Sequence, residues 1–407
     1  MLGENPPKVV WTIPVNFVSA NYPSFNRTTP DVWLTGGEDF VTVPYVSDND
    51  WIIANKKQTG YYRVNYDEKN WNLIKKALLG DHNKIDVLNR AQIIDDTFML
   101  ARSRQLAYDI PISIGLYLKQ EKDYVAFYPF YRAIGYLDNI LYSTNGRDKL
   151  KEYVNNVLQD TYKQLHFNEN VNDKHTDKLN RINVLNWICK MDHADCRSTC
   201  LDKFRAWKDR KAIIPVNLQL SVFCGAMRVG SKHDHSTLHK AAKELKLDDR
   251  DLRSAMITSL GCSENEEILH SYLNSALEKD AVFGPDLVFP SVYTGGGVGV
   301  QAVLNLLLKQ GKFEKLQQRS ENIEDLLNGI ASRISGDNQF EQLTRLSVTH
   351  DKSLFKRALE IAKTNKEWFS ANGPALLEAL DKANGSTLLT NIFILTIVSA
   401  ATSIFYY

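Results

Sequence analysis

The chain has 407 residues, with 49 Lys and Arg against 48 Asp and Glu, and its formal net charge is +1. So even a balance indicates no nucleic-acid-binding field. The length allows two or more domains.

The first residues, Met1 to Pro7 (MLGENPP), contain neither a basic n-region nor an apolar h-region, so no secretory signal peptide is read there. From Lys8 to Tyr66 the apolar runs are short, β-branched and aromatic: Val9 to Val18, Asp31 to Leu34, Phe40 to Val46, Trp51 to Ala54 and Gly60 to Tyr66. Gly, Pro, Asn and Asp break them at strand-sized intervals, which predicts a small antiparallel β-sandwich over residues 1–76, missing its first strand. After Lys76 the period shifts to that of a helix. Val87, Ala91, Ile94, Phe98 and Ala101 form one apolar stripe, and comparable stripes recur to Leu380. A dozen or more helices, paired at intervals of roughly 35 to 45 residues, predict a HEAT- or armadillo-like superhelix over 77–382 with a concave face. The fold class is α+β, multi-domain.

Residues 383–407 form a third segment. Leu388 to Tyr407 (LLTNIFILTIVSAATSIFYY) holds no charged side chain and is long enough to cross a hydrocarbon core, so it reads as a transmembrane anchor or as a signal exchanged for one. No Lys or Arg follows Lys382, and Ala383, Asn384, Gly385 and Ser386 are small residues of the kind at which a glycosylphosphatidylinositol (GPI) anchor is attached. Asn384 is the attachment candidate, and the implied location is the extracellular face of a cell membrane. Set against the start of the chain, this tail implies either the C-terminal portion of a longer secreted protein or an anchor on a cytosolic one. Asn26-Arg27-Thr28 is a glycosylation sequon in a polar stretch.

Few motifs point to chemistry. His235 and His239 stand one helical turn apart, the ligand spacing of a zinc metalloprotease, but Ser236 occupies the position of the general-base Glu and cannot take up a proton at neutral pH. His233 and Glu244 lie nearby, and surface histidines in a Lys-rich stretch are the plainer reading. Gly295-Gly296-Gly297-Val298-Gly299 lacks the strand and the Lys-Ser/Thr pair of a phosphate cradle and reads as a helix-to-helix turn. Neither a G-x-S-x-G elbow nor a Walker loop occurs. Cys189 and Cys196 lie a loop apart, and Cys224 and Cys262 flank a helical hairpin's worth of sequence, leaving Cys200 over. Two disulfides and a thiol fit this spacing, and so do five reduced core cysteines.

Gly60-Tyr61-Tyr62-Arg63-Val64-Asn65-Tyr66-Asp67 with Asn70-Trp71 closely resembles the signature at the end of the sandwich domain in the aminopeptidase N family of zinc exopeptidases. Arg90-Ala91-Gln92, Asp95-Asp96, Phe98, Leu100, Ala101, then Tyr117-Leu118, Glu121 and Asp123-Tyr124-Val125 are similar to the opening helices of that family's C-terminal helical domain. The resemblance runs from Trp11-Thr12-Ile13-Pro14 to the C-terminal signal and is nearest the GPI-anchored aminopeptidases of insect gut. It implies disulfides Cys189–Cys196 and Cys224–Cys262. It also implies peptide substrates and a zinc ion held outside this chain, because the family's H-E-x-x-H helix lies N-terminal to the sandwich. Carried over at the family's spacing, the third zinc ligand after His239 would fall on Thr258, so no catalytic or metal-binding residue is assigned here. Gly225-Ala226-Met227 resembles the G-A-M-E-N substrate loop, but Arg228 and Val229 replace its Glu and Asn. The family's I-R-x-Q-D segment reads Val282-Phe283-Gly284-Pro285-Asp286, without the Arg. Arg333 is the one candidate for a basic residue lent to the substrate cavity.

Arg63 reads as a structural residue making a charge-assisted bond at the junction of the sandwich and helical domains, and Arg90 and Asp96, six apart, fall on nearly opposite helix faces. Two functional readings follow. One is the non-catalytic C-terminal portion of a membrane-anchored zinc aminopeptidase, with the helical domain capping the substrate cavity. The other is a catalytically inactive cell-surface peptide- or protein-binding protein. A homodimer is compatible with either.

Overall fold

In a computed structural model of the chain, residues 11–36, 40, 47–246, 249–296 and 298–403 are described, with side chains to Gly385. The protein is mostly helical, with a small antiparallel β part near its start. Two compact units divide it, Met1–Ala133 and Ile134–Tyr407.

In the first unit, β1 (Ile13–Val15) pairs with β3 (Val32–Leu34), and β2 (Phe17–Ser19) pairs with β4 (Ile52–Ala54), in two separate antiparallel sheets. The single strand expected over Val9 to Val18 is split at Asn16. That side chain is buried and takes the place of a ladder, donating to the Thr28 carbonyl at 2.7 Å and accepting from the Lys56 amide at 2.6 Å. The strand expected over Gly60 to Tyr66 is absent. Its alternation survives, with Tyr61, Arg63 and Asn65 exposed and Tyr62, Val64 and Tyr66 half-buried, but side chains rather than a neighbouring strand satisfy the backbone. Val64 N donates to Asp96 Oδ2 at 3.1 Å, Tyr62 Oη to the Pro14 carbonyl at 2.9 Å, and Ala54 N to Tyr66 Oη at 2.8 Å. Most of the run Phe40 to Val46 lies outside the described residues.

Helices α1 (Glu68–Asp81), α2 (Val87–Arg102) and α3 (Asp109–Gly115) complete this unit, and α4 (Tyr124–Leu141) runs through the division. The starts of α1 and α2 follow capping rules. Asp67 Oδ1 accepts from the Asn70 amide at 2.7 Å and Asp86 Oδ1 from the Leu88 amide at 2.9 Å, each satisfying an amide that has no partner within its helix.

The second unit continues with α5 (Gly146–Leu165), α6 (His175–Lys190), α7 (Ala194–Lys208), α8 (Gln219–Val229), α9 (Lys232–Glu244), α10 (Arg250–Leu260), α11 (Glu266–Ala276), α12 (Pro285–Gly295), α13 (Gly299–Leu307), α14 (Lys312–Arg319), α15 (Ile323–Ala331), α16 (Asp337–Thr349) and α17 (Lys352–Ser403). Packing is largely sequential: α7 on α8, α8 on α10, α10 on α12, α12 on α13 and α15, and α15 on α17, which also lies against α5. The core is made of the expected helical stripes, with Phe204, Phe223, Phe289, Phe313 and Phe355 fully buried. Gly261 and Gly295 let the ends of α10 and α12 touch through backbone alone. A Cβ on Gly295 would stand 2.2 Å from the Gly261 carbonyl oxygen, which is why the glycine run begins there; Gly297 lies outside the described residues.

Helix α17 continues through Asn384 without a break. Among the described residues no helix is long and apolar enough to cross a membrane. The side chains of Leu388 to Tyr407, where the anchor or signal is expected, lie outside that description.

Candidate functional site

Arg333 follows α15 and is largely withdrawn from solvent. Its Nη1 donates to the Gly329 carbonyl at 3.1 Å and to Ser332 Oγ at 3.0 Å, and its guanidinium carbon lies 5.4 Å from the centre of the Tyr293 ring. Burial lowers its pKa, opposed by Tyr293, Tyr142 and Asp138. All of its described partners are neutral groups.

Around it runs a buried polar seam. Tyr142 on the α4–α5 turn donates its hydroxyl to the Gly296 carbonyl and accepts from the Val300 amide at 3.0 Å, tying that turn to the glycine run. Arg147 covers the Tyr142 ring at 5.5 Å and reaches Asp138 Oδ1 at 3.4 Å, while Lys190 Nζ stands 2.7 Å from Asp138 Oδ2. Asp138 is buried. Burial alone would raise its carboxyl, but Lys190 and Arg147 hold it below the usual range. Farther along, Arg228 Nη2 donates to the Gly295 carbonyl at 2.6 Å and its Nη1 lies 3.3 Å from Glu264 Oε1. Arg197 grips the same Glu264 in a fork, at 3.0 and 2.7 Å, and also pairs with Asp192. Arg147, Lys190, Arg197 and Arg228 thus meet Asp138, Asp192 and Glu264, and Arg333, held only by neutral groups, adds to an excess of positive charge. Of this seam only Arg333 was found by sequence reasoning. The available signal was Asp138, one acid inside the apolar run of α4.

The remaining sequence candidates lie apart from Arg333. Cys189 is bonded to Cys196, and Cys224 to Cys262, while Cys200 is a buried free thiol. The first disulfide joins α6 to α7, and the second joins α8 to the residue after Gly261. Gly225-Ala226-Met227-Arg228 is an interior stretch of α8, and its Arg serves the seam. Asp286 on α12 accepts from Ser320 Oγ at 2.5 Å and from the Glu321 amide at 2.9 Å. Asn26 is exposed between β2 and β3. Asn384 is buried, its Nδ2 donating to the Lys149 carbonyl at 3.0 Å.

His235 and His239 line a cavity of about 160 Å³ between α9 and α11 with Lys232, Ser236, Ser271 and Tyr272. His235 Nε2 lies 3.0 Å from the Leu260 carbonyl, and burial pushes both imidazoles down to about 4. The only group of three metal-binding side chains within reach of one another among the described residues is Cys189, Cys196 and Cys200. Neither set fits a catalytic zinc. Among the described residues the histidines have no third ligand and no general base beside them, and two of the three sulfurs are bonded to each other.

The geometry defines a disulfide-tied, mostly helical protein with a small β part and an internal cationic seam. Residues 51–365 match the family model of the ERAP1-like C-terminal domain, and the chain belongs to that family. It is 29% identical over 347 residues to aminopeptidase N of Plutella xylostella, covering 83% of this chain and 36% of the relative. Human aminopeptidase N is 25% identical over 387 residues, covering 91% of this chain and 39% of the relative. The thyrotropin-releasing hormone-degrading ectoenzyme of Rattus norvegicus is 25% identical over 396 residues, covering 92% and 36%. The chain therefore spans 36–39% of the length of these relatives.

Proposed function

We propose that this chain is the non-catalytic C-terminal portion of a membrane-anchored zinc aminopeptidase that removes N-terminal residues from peptides. The observation that carries the proposal is the family match over residues 51–365 in a sequence that contains no H-E-x-x-H. In this reading the zinc and its ligands belong to a catalytic domain outside the chain, and the helices form a HEAT-like superhelix, residues 77–382, that caps the substrate cavity. Arg333 suits the carboxylates of peptide substrates, since a partly desolvated guanidinium held only by neutral groups is a strong partner for them. Two disulfides fit an oxidising, extracellular setting, and exposed Asn26 fits glycosylation. Anchoring would fall to residues 383–407, by GPI attachment at Asn384 or by a retained helix.

The purified chain is expected neither to hold stoichiometric zinc nor to hydrolyse aminoacyl substrates. Zinc-dependent turnover at homogeneity would overturn the reading. Inactivity together with saturable peptide binding by the chain alone would favour a cell-surface binding protein instead.

A further inference from the structure

The three sulfurs at the α6–α7 junction are more than a disulfide with a bystander. Cys200 Sγ lies 3.5 Å from Cys189 Sγ and within 4.8 Å of Cys196 Sγ, and all three side chains are at most 2% exposed. Gly225 on α8 makes the arrangement possible, because a Cβ there would stand 2.5 Å from Cys200 Sγ and 3.1 Å from Cys189 Sγ.

We infer that Cys200 is the internal exchange partner of the Cys189–Cys196 disulfide. Opening of α7 lets it attack Cys189, forming a Cys189–Cys200 bond and releasing Cys196 as the free thiol. The step balances without oxidant or reductant. The Cys200 thiol gives its proton to solvent, the thiolate attacks Cys189 Sγ, the bond to Cys196 breaks with its electron pair on Cys196 Sγ, and that thiolate takes up a proton.

One feature sets the direction of attack: Cys200 Sγ already lies 3.5 Å from Cys189 Sγ, the sulfur it would bond. Two other features keep the exchange off in the closed fold. Burial pushes the Cys200 thiol up to about 12, opposed by Arg228 and Lys203, so hardly any thiolate forms at neutral pH. The approach is also off line. Attack along the S–S axis would place the far sulfur at about 5.5 Å, whereas Cys196 is within 4.8 Å, so the thiol flanks the bond. The cluster is therefore a conformational sensor, in which loosening of α7 is recorded as a change of disulfide partner.

Trypsin separates all three cysteines, into Ile182–Lys190, Met191–Arg197 and Ser198–Lys203. The full chain would be held at pH 8.5 in sub-denaturing guanidinium without added thiol, alkylated with iodoacetamide, and mapped without reduction. Linked Ile182–Lys190 and Ser198–Lys203 is expected, with alkylation of Cys196 raised at least about tenfold over the same treatment without guanidinium. In Cys200→Ser, Cys196 should stay unlabelled. The proposal is overturned if wild type yields alkylated Cys200 with Cys189–Cys196 intact, if Cys200 is found joined to Cys196, Cys224 or Cys262, or if Cys196 is labelled equally in Cys200→Ser. The wild-type map decides the matter even if the variant does not fold.

Discussion

Arg63 and Asp96 are joined at 2.9 Å, through a guanidinium that also reaches Asp95 at 2.6 Å. This fixes the irregular segment after β4 to α2. The two acids have unequal roles. Asp96 is buried, and its other oxygen accepts from the Val64 amide at 3.1 Å and from Gln92 Nε2 at 3.3 Å, whereas the side chain of Asp95 is 40% exposed. Asp96→Ala strands a backbone amide and should cost about 1–3 kcal/mol. Asp95→Ala loses only a solvated pair and should cost under about 1 kcal/mol. Urea denaturation of the two variants compares them, and equal losses would refute the assignment.

Arg90 belongs to a different pair. Its Nε and Nη2 hold Glu121 at 2.7 and 3.2 Å, and its Nη1 donates to the Ile85 carbonyl at 2.7 Å. Burial would raise the Glu121 carboxyl, but Arg90 and the amides of Asp123 and Lys122 outweigh it and lower the pKa. A depressed carboxylate stabilises the fold above its ordinary pKa and loses that contribution as pH falls through the folded value, so acid should weaken this site. Glu121→Gln, which leaves the Arg90 charge buried, should cost about 3–5 kcal/mol at neutral pH. Replacing both residues by apolar ones of similar volume should recover most of the loss. A double variant as unstable as the single would refute this.

Glycines provide a test of packing. Gly295→Ala places a methyl group 2.2 Å from the Gly261 carbonyl oxygen and should destabilise the second unit by about 1–3 kcal/mol. Gly80, inside α1, faces open space: a Cβ there would meet nothing within 4 Å. Gly80→Ala should therefore stabilise by about 0.5–1 kcal/mol through helix propensity. Thermal midpoints shifting in opposite directions are expected; a Gly295→Ala midpoint at or above wild type would discard the contact.

What the sequence disclosed was mainly local. The stripe Val87, Ala91, Ile94, Phe98, Ala101 is α2, because helical periodicity is written in neighbouring residues. Alternation at Gly60 to Tyr66 was equally local but misleading, since it fixes which residues face inward and not what satisfies the backbone. Asp96, 32 positions beyond Val64, does that here. The seam was hidden for the same reason. Tyr142 meets Gly296 across 154 positions and Arg228 meets Gly295 across 67, and no spacing rule links residues so far apart. Arg333 came from a family resemblance, and its neighbour Tyr293 carried no signal.

Acid should act with opposite signs on the Asp96 site of the first unit and on the histidine pair of the second. Burial raises Asp96 to about 6, above its ordinary value near 3.8, so this group favours the folded state at low pH and that contribution is lost as pH rises through 6. His235 and His239 lie at about 4, below the ordinary 6.5, because burial disfavours their charged forms. The unfolded chain therefore takes up protons first, and stability around α9 and α11 is lost as pH falls from about 6.5 to 4, by up to about 3 kcal/mol for buried His235 and less for half-buried His239. Hydrogen exchange, corrected for intrinsic rates at each pH, should show α9 and α11 losing protection between pH 6.5 and 4.5 while Val64 and the Asp96 turn of α2 hold or gain it. His235→Gln should flatten the first response and Asp96→Asn the second. A parallel loss of protection in both units would mean that global acid unfolding, rather than these buried groups, sets the response.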